Sequence, residues 1–187
     1  MGNAARNPAR STAELLTWEQ QQTERHIFIR GEVFAMSGGT AEHNEATLNA
    51  TFALKQHLKG TPCKVFVTDM RLRVEAANCY YYPDVFVTCA DDDVSDPKRS
   101  TLTVAKLILE VLWPGTAAFD RGYKFAVYRT LESLEEYVLI DPDGKSDNVF
   151  RKGTDGLWVL HPSNIATPEE RFDSVGWMGG VADLLPS

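Results

Sequence analysis

The sequence predicts an α/β fold in which a mixed β-sheet is flanked by helices. Helix-type and strand-type segments alternate along the 187 residues, in the order helix, hairpin, helix, several strands, helix and further strands. The apolar run Leu107–Leu112 is typical of a central strand that is covered on both faces. Glu110 interrupts this run, and a carboxylate there is costly unless it is paired or holds a metal ion.

The N-terminal part of the chain contains two helices with a hairpin between them. Thr40 is a helix-capping residue, Gly60 is a helix-ending residue, and Arg30-Gly31 is a turn between two strand-like segments. In order, these elements are a helix from Ser11 or Thr12 to about Gln22, a hairpin of His26–Arg30 and Glu32–Met36, and a helix from about Ala41 to Leu58.

Strands dominate the remainder, and turn signals such as Trp113-Pro114-Gly115 separate them. The predicted strands are Lys64–Thr68, Arg71–Glu75, Tyr80–Thr88, Val104–Leu112, Glu136–Ile140, Asn148–Arg151 and Leu157–Leu160, with a helix over about Ala117–Leu131. We expect residues 1–11 to form a disordered tail and residues 12–187 to form a single domain.

Composition limits the classes of function. No apolar run approaches the roughly 20 residues that span a bilayer, and the first ten residues lack the apolar core of a signal peptide. The net charge of −7 gives no general attraction to nucleic acid, although it leaves room for a local basic face. We therefore expect a cytoplasmic protein without a membrane partner. The three cysteines, Cys63, Cys79 and Cys89, are expected to be reduced.

Asp84 and Glu110 are the candidate metal ligands. Alternate residues of a strand share a face, so Asp84 lies on the face of Phe86, and Glu110 lies on the face of Ile108. If the two strands are neighbours with matching faces, the two carboxylates converge. Paired carboxylates suit Mg²⁺, with Mn²⁺ as a substitute, and such an ion can activate water and stabilise charge on a phosphoryl oxygen.

Lys124 is the candidate catalytic cation. It lies on the same helical stripe as Val127 and Leu131, so it is predicted to face inward, beside the metal. The alternative is an ion pair of Asp120 with Lys124 whose ammonium group extends out to solvent.

Glu42 is a further candidate metal ligand, because it begins the stripe of the long helix that also carries Ala46 and Ala50. Its alternative role is to favour the helix N-terminus electrostatically. His43 and Glu45 are additional candidates on the same turn.

The chain resembles the Uma2 (DUF820) family of restriction endonuclease-like proteins, in the PD-(D/E)XK nuclease superfamily. The resemblance rests on Asp84 after a proline, Glu110 in an apolar strand, and Asp120-Arg121-Gly122 followed by Lys124 and Tyr128. Three further segments, Arg30–Val33, Glu42–Asn44 and Tyr137–Pro142, are similar to the family's hairpin, first core helix and later strand.

The resemblance implies a restriction endonuclease-like core, a divalent metal and hydrolysis of DNA phosphodiester bonds. Asp84 and Glu110 take the positions of metal ligands, and Lys124 that of the catalytic lysine. The superfamily places this lysine two residues after the second acid, where this chain has Leu112. The family's Ser-Pro-Ser-Thr is also replaced here by Trp113-Pro114-Gly115-Thr116.

Two other functions stay open on the sequence alone. One is a binding or assembly module that keeps the nuclease fold without turnover and forms a homodimer. The other is a metal-dependent hydrolase of a different phosphate ester. The complete set of two acids and a lysine favours the DNA endonuclease.

Overall fold

Two six-stranded β-sheets make up most of the fold, and a computed structural model describes it over residues 4–5, 12–36, 38–167 and 169–187. The strands are β1 Ala4–Ala5, β2 His26–Ile29, β3 Glu32–Ala35, β4 Lys64–Val67, β5 Arg71–Val74, β6 Cys79–Tyr81, β7 Val85–Thr88, β8 Thr101–Leu102, β9 Leu107–Val111, β10 Glu136–Asp141, β11 Ser146–Lys152, β12 Trp158–Asn164, β13 Glu170–Phe172 and β14 Trp177–Gly179.

Helices are fewer and, with one exception, short. They are α1 Thr12–Glu19, α2 Ala41–His57, α3 Asp91–Val94, α4 Ala117–Phe119 and α5 Phe125–Tyr128, with a π-helical segment Asp120–Lys124 between the last two. Short 3₁₀ turns cover Glu75–Ala77 and Val181–Asp183. None of the helices in the described part of the chain has the length and apolar character needed to cross a membrane.

The predicted mixed α/β class is confirmed, but the expectation of one sheet is wrong. The first sheet has the order β1-β3-β2-β6-β5-β8, and the second has the order β12-β11-β10-β9-β7-β4. The predicted strand Tyr80–Thr88 is divided between them, as β6 and β7. Pro83 lies at the break, and because proline has no N–H to donate, the strand leaves the first sheet there.

The second sheet contains β9 at its centre. β10 pairs with β9 in parallel, and β7 pairs with it in antiparallel orientation. Side chains on one face of β9, such as Leu107 and Leu109, pack with Ala50 and Leu54 of α2. On the other face, Ile108 joins residues of the first sheet in a second apolar cluster. The predicted central strand is therefore buried on both faces.

The N-terminal elements agree with the sequence in type. The hairpin of β2 and β3 turns at Arg30 and Gly31, which both have positive φ, of 48° and 100°. Thr40 caps α2 by accepting a hydrogen bond from the N–H of His43. The expected disordered tail, residues 1–11, lies outside the described residues apart from Ala4–Ala5, which pair with β3.

The predicted helix over Ala117–Leu131 is not a continuous α-helix. It contains the π-helical segment Asp120–Lys124 and ends at Tyr128. The Tyr137 hydroxyl donates to the carbonyl of Asp120 at 3.0 Å, so a side chain from β10 takes up one of the carbonyls of this segment. Interruptions of this kind occur often at functional sites.

Two of the three cysteines form a disulfide, so the expectation of three reduced thiols is wrong. Cys63 precedes β4 and Cys89 follows β7, and the register that pairs Lys64 with Thr88 sets them opposite each other. The bond links the start of the edge strand β4 to the end of its neighbour β7. Cys79 is free and buried. Cysteine number alone could not reveal this pairing, because it depends on which strands are neighbours.

Asp147 in β11 is a buried carboxylate that lies away from Asp84 and Glu110 in the sheet. It is 1% exposed, and neither of its carboxylate oxygens has a hydrogen-bond partner among the described residues. Burial and the nearby Glu170 raise the pKa of Asp147 to about 7. A group whose pKa is higher in the folded than in the unfolded chain stabilises the fold only while it is protonated.

We therefore predict that the free energy of unfolding falls as the pH rises from about 4 to about 7, and that Asp147→Asn removes this part of the pH dependence. The effect is roughly 1.4 kcal/mol for each unit by which folding raises the pKa. Urea unfolding at pH 5 and pH 8 measures it, with Asp143→Asn, an exposed turn residue, as the control. An Asp147→Asn protein with the wild-type pH dependence contradicts this prediction.

Candidate active site

Asp84 and Glu110 face each other across the junction of β7 and β9. Their register pairs Val85 with Leu109, and one further step pairs Asp84 with Glu110. The N–H of Val111 donates to Asp84 Oδ2 at 2.9 Å, which ties this carboxylate to β9. The convergence predicted from strand faces is therefore present in the structure.

Glu110 is buried, with 1% of its surface exposed, and each of its oxygens has a partner. Lys124 Nζ lies 2.8 Å from Oε2. The Tyr128 hydroxyl donates to Oε1 at 3.0 Å. The carboxylate that interrupts the apolar strand is thus compensated by an ammonium group and a phenol from the same helical region.

Lys124 points into the protein rather than out to solvent. Its ammonium group lies between Glu110 and Asp120, at 3.1 Å from Asp120 Oδ1, and the residue is 9% exposed. The Asp120–Lys124 pair considered as an alternative does form, but it is buried and shared with Glu110. The lysine reaches the acid pair from the helical segment. The strand position two residues after Glu110, where the superfamily has its lysine, is occupied by Leu112.

His43 is the residue of α2 that approaches the acids. Its Nε2 lies 3.2 Å from Asp84 Oδ2, and the side chain is largely buried. Gly39 makes room for the imidazole, because a Cβ atom at that position would lie 2.9 Å from His43 Nδ1. Together with the N–H of Val111, His43 fixes the orientation of the Asp84 carboxylate.

Glu42 and Glu45, unlike His43, do not contact Asp84 or Glu110 in the part of the chain that the structure describes. Glu42 is exposed in the first turn of α2 and is not among the cavity-lining residues of the described chain. Glu45 accepts a hydrogen bond from the N–H of Ser187 and so ties the C-terminus to α2. Of the three candidates on this turn, only His43 contacts the acid pair. Neighbouring residues of a helix point in different directions, and this separates His43 from Glu42.

Negative charge exceeds positive charge at the site. Asp84, Glu110 and Asp120 supply three carboxylates, and Lys124 supplies one ammonium group. Burial, together with Asp84 and Asp120, raises the pKa of Glu110 to about 8, against the opposing effect of Lys124. Burial lowers the pKa of Lys124, but the three carboxylates outweigh it and raise that pKa, so the lysine remains charged.

Asp84 and His43 shift each other's pKa in opposite directions. Burial raises the pKa of Asp84, but the hydrogen bond with His43 and the charge of Lys124 outweigh burial and lower it overall. The same hydrogen bond raises the pKa of His43. Of the two acids Asp84 and Glu110, Asp84 therefore stays ionised to the lower pH.

An open cavity of about 770 Å³ gives access to these groups. Asp84, Glu110, Asp120 and Lys124 lie on its wall, close to His43. Apolar and aromatic side chains line other parts of it, and they include Ile27, Phe34, Met36, Trp113 and Phe119. The volume lies within the range of small-molecule and cofactor pockets.

The donor set fits a divalent cation in charge and in atom type. Three acids face the one ammonium group of Lys124, an excess that a divalent cation would offset, and carboxylate oxygens are the ligands that Mg²⁺ prefers. Among the described residues, no three His, Cys, Asp or Glu side chains form a ready metal cluster. Asp84 and Glu110 would therefore hold the ion as a pair, which suits Mg²⁺ because it keeps several water ligands.

The sequence singled out Tyr128 as part of the family's motif but did not predict its contact with Glu110, and it gave no indication of the part that Tyr137 plays. Tyr128 donates to Glu110, and Tyr137 holds the carbonyl of Asp120. The position of Tyr128, four residues after Lys124, was a usable signal, since it puts both side chains on one helical face. The contact of Tyr137 depends on the pairing of β10 with β9 and had no local signal.

A nuclease-type α/β fold is the class that this architecture defines. The structure is similar to the crystal structure of a protein from Anabaena variabilis described as a putative nuclease belonging to DUF820. The TM-score is 0.74, with 14% sequence identity, over 92% of this chain and 95% of that one. At this identity the likeness shows the fold alone.

The chain belongs to the Uma2 family, described as "Putative restriction endonuclease", whose model matches residues 12–175. Two relatives from a Synechocystis species are similar over most of their length. The uncharacterized protein sll1609 is 37% identical over 150 residues, which are 80% of this chain and 85% of that protein. The uncharacterized protein slr1290 is 33% identical over 155 residues, 82% of this chain and 80% of that protein.

We predict that Tyr128→Phe lowers the free energy of unfolding by about 1–3 kcal/mol, because it leaves a buried carboxylate oxygen of Glu110 without its donor. Urea unfolding measures the change. Tyr123→Phe is the matched control, since Tyr123 is 37% exposed and its ring keeps the stacking contact with Phe119. If both variants lie within about 0.5 kcal/mol of wild type, the hydroxyl of Tyr128 does not support Glu110.

Proposed function

We propose that this protein is a Mg²⁺-dependent DNA endonuclease that hydrolyses phosphodiester bonds. The observation that carries the proposal is the meeting of Asp84, Glu110 and Lys124 on the wall of one open cavity. Membership of the Uma2 family and the nuclease-type fold support it. Mn²⁺ is the expected substitute for Mg²⁺, because both accept carboxylate and water ligands.

In this proposal Asp84 and Glu110 hold the cation through their carboxylates. A bound ion would supply positive charge at a phosphoryl oxygen and would lower the pKa of the attacking water. His43 and the N–H of Val111 orient Asp84, so that it presents a fixed oxygen to the cavity. Tyr128 does the same for Glu110.

Lys124 acts as a charged hydrogen-bond donor. Its ammonium group has three protons, of which Glu110 and Asp120 engage two, and the third can be donated to the water or to a phosphate oxygen. The water oxygen gives up a proton to the solvent and bonds to phosphorus, the ester P–O bond breaks, and the leaving oxygen takes up a proton from the solvent. Fixed positive charge beside the phosphate stabilises the negative charge that develops during this step.

The test is cleavage of plasmid, linear and single-stranded DNA with Mg²⁺ or Mn²⁺, run beside a panel of nucleotides. We expect Lys124→Ala to reduce cleavage at least about a hundredfold, the scale seen when a charge-stabilising donor is removed. Lys124→Met keeps the apolar stem and serves if the alanine variant does not fold. Full cleavage by either folded variant contradicts the role of Lys124.

Metal binding is tested separately by titration calorimetry. We expect Asp84→Asn and Glu110→Gln each to weaken Mn²⁺ binding, because each removes a charged ligand. Glu42→Gln is the matched control, because it makes the same change at an exposed glutamate of α2. We expect this variant to bind Mn²⁺ as the wild type does. Mn²⁺ binding that survives both ligand variants would place the metal elsewhere. Hydrolysis of nucleotides without cleavage of DNA would indicate a different phosphate ester as substrate.

A further inference from the structure

Few positive charges surround the cavity, although its proposed substrate is a polyanion. Of the residues that line it, two are lysine or arginine, Arg25 and Lys124, against the acids Glu24, Asp84, Glu110 and Asp120. Arg25 is paired with Asp69, and Lys124 with Glu110 and Asp120. Proteins that dock on duplex DNA use many phosphate contacts from lysine and arginine. The cavity has too few lysine and arginine residues for that mode of binding.

Aromatic side chains line the cavity instead. Trp113 lies two residues beyond the end of β9 and three residues after Glu110, and its half-buried indole lines the cavity. Gly115 leaves room for this ring, since a Cβ atom there would lie 2.6 Å from the indole Nε1. Among the described residues, no other aromatic ring stacks on Trp113. The indole is therefore available to a flat ligand.

Phe119 provides a second ring in the lining of this cavity. It stacks on Tyr123 with a centroid distance of 5.7 Å and an angle of 11° between the ring planes, which fixes its orientation. Its chain position, one residue before Asp120, links this ring directly to the segment that carries Lys124. The apolar side chains Ile27, Phe34 and Met36 extend the lining.

We propose that this cavity binds one unpaired nucleotide of the DNA substrate, with its base against Trp113 and Phe119 and its phosphate at Asp84, Glu110 and Lys124. This inference rests on the proposed function and names its substrate class: single-stranded or locally unpaired DNA rather than intact duplex. Stacking on aromatic rings supplies affinity that does not depend on a basic surface, and any of the four bases has a face to stack. A protein of net charge −7 with two basic residues at its site requires that kind of affinity.

The experiment measures binding of a fluorescently labelled single-stranded 12-mer and of a duplex of the same sequence, by anisotropy in Ca²⁺, with a gel to verify that the DNA stays uncut. We expect at least tenfold tighter binding of the single strand. Its affinity should depend weakly on salt, with a slope of log K against log [salt] of about −0.7 to −1.4, because only one or two phosphates of a single strand are neutralised.

Variants of Trp113 test the stacking contact. We expect Trp113→Ala to weaken single-strand binding roughly 5- to 160-fold, the range for loss of one base–aromatic stack. Trp113→Phe should keep most of the affinity but lose the quenching of tryptophan fluorescence on binding. Phe52→Ala is the matched control: Phe52 is 70% exposed on α2 and does not line the cavity.

The outcomes separate this inference from the function on which it rests. Wild-type protein that cleaves duplex, binds it as tightly as the single strand, and is unaffected by Trp113→Ala remains a nuclease but overturns the unpaired-nucleotide site. Unchanged fluorescence quenching in Trp113→Phe overturns the stacking contact in the same way. A wild-type protein that neither binds nor cleaves any DNA overturns both proposals.

Discussion

The ion pair between Glu110 and Lys124 is the interaction on which the site depends. Glu110 lies at the centre of the second sheet, where its strand is buried on both faces, and an uncompensated carboxylate there would oppose folding. Lys124 compensates it from the helical region, at 2.8 Å, with Tyr128 as a second donor. The strand order, the π-helical segment and the helix that follows are all needed to bring these three groups together.

The same arrangement leaves the site with more negative than positive charge. Asp84, Glu110 and Asp120 outnumber the ammonium group of Lys124, and burial, together with this excess of acids, raises the pKa of Glu110. A buried pair that existed only to stabilise the fold would be expected to balance its charges, because unpaired buried charge is costly. The excess, at the wall of an open cavity, is the physical reason to regard this cluster as a binding site for a cation.

Much of the site could be predicted because it follows local rules. Alternation along two strands put Asp84 and Glu110 on faces that could meet, and helical spacing turned Lys124 inward. The choice between Glu42 and His43 could not be made in this way, since it depends on the rotation of α2 against the sheet. Tyr137 reaches Asp120 only because β10 lies beside β9, a long-range fact.

The fold, like the site, was predicted where it follows from local sequence patterns. Element types follow from hydrophobic periodicity and turn residues, so the hairpin, the long helix and the central strand were found. Three features depend on which segments become neighbours: the division of the strands into two six-stranded sheets and one two-stranded sheet, the Cys63–Cys89 disulfide, and the π-helical segment. Pro83 was visible in the sequence, but its effect, a strand that changes sheets and brings Asp84 opposite Glu110, required the tertiary arrangement.

The central claim is that Asp84 and Glu110 hold a divalent cation beside Lys124. A crystal structure of the protein soaked in Mn²⁺, with anomalous diffraction data, tests it most directly. We expect an anomalous peak between the two carboxylates, with the Lys124 amine a few ångströms away. A well-ordered crystal with no peak there, or with its peak at other residues, would contradict the account.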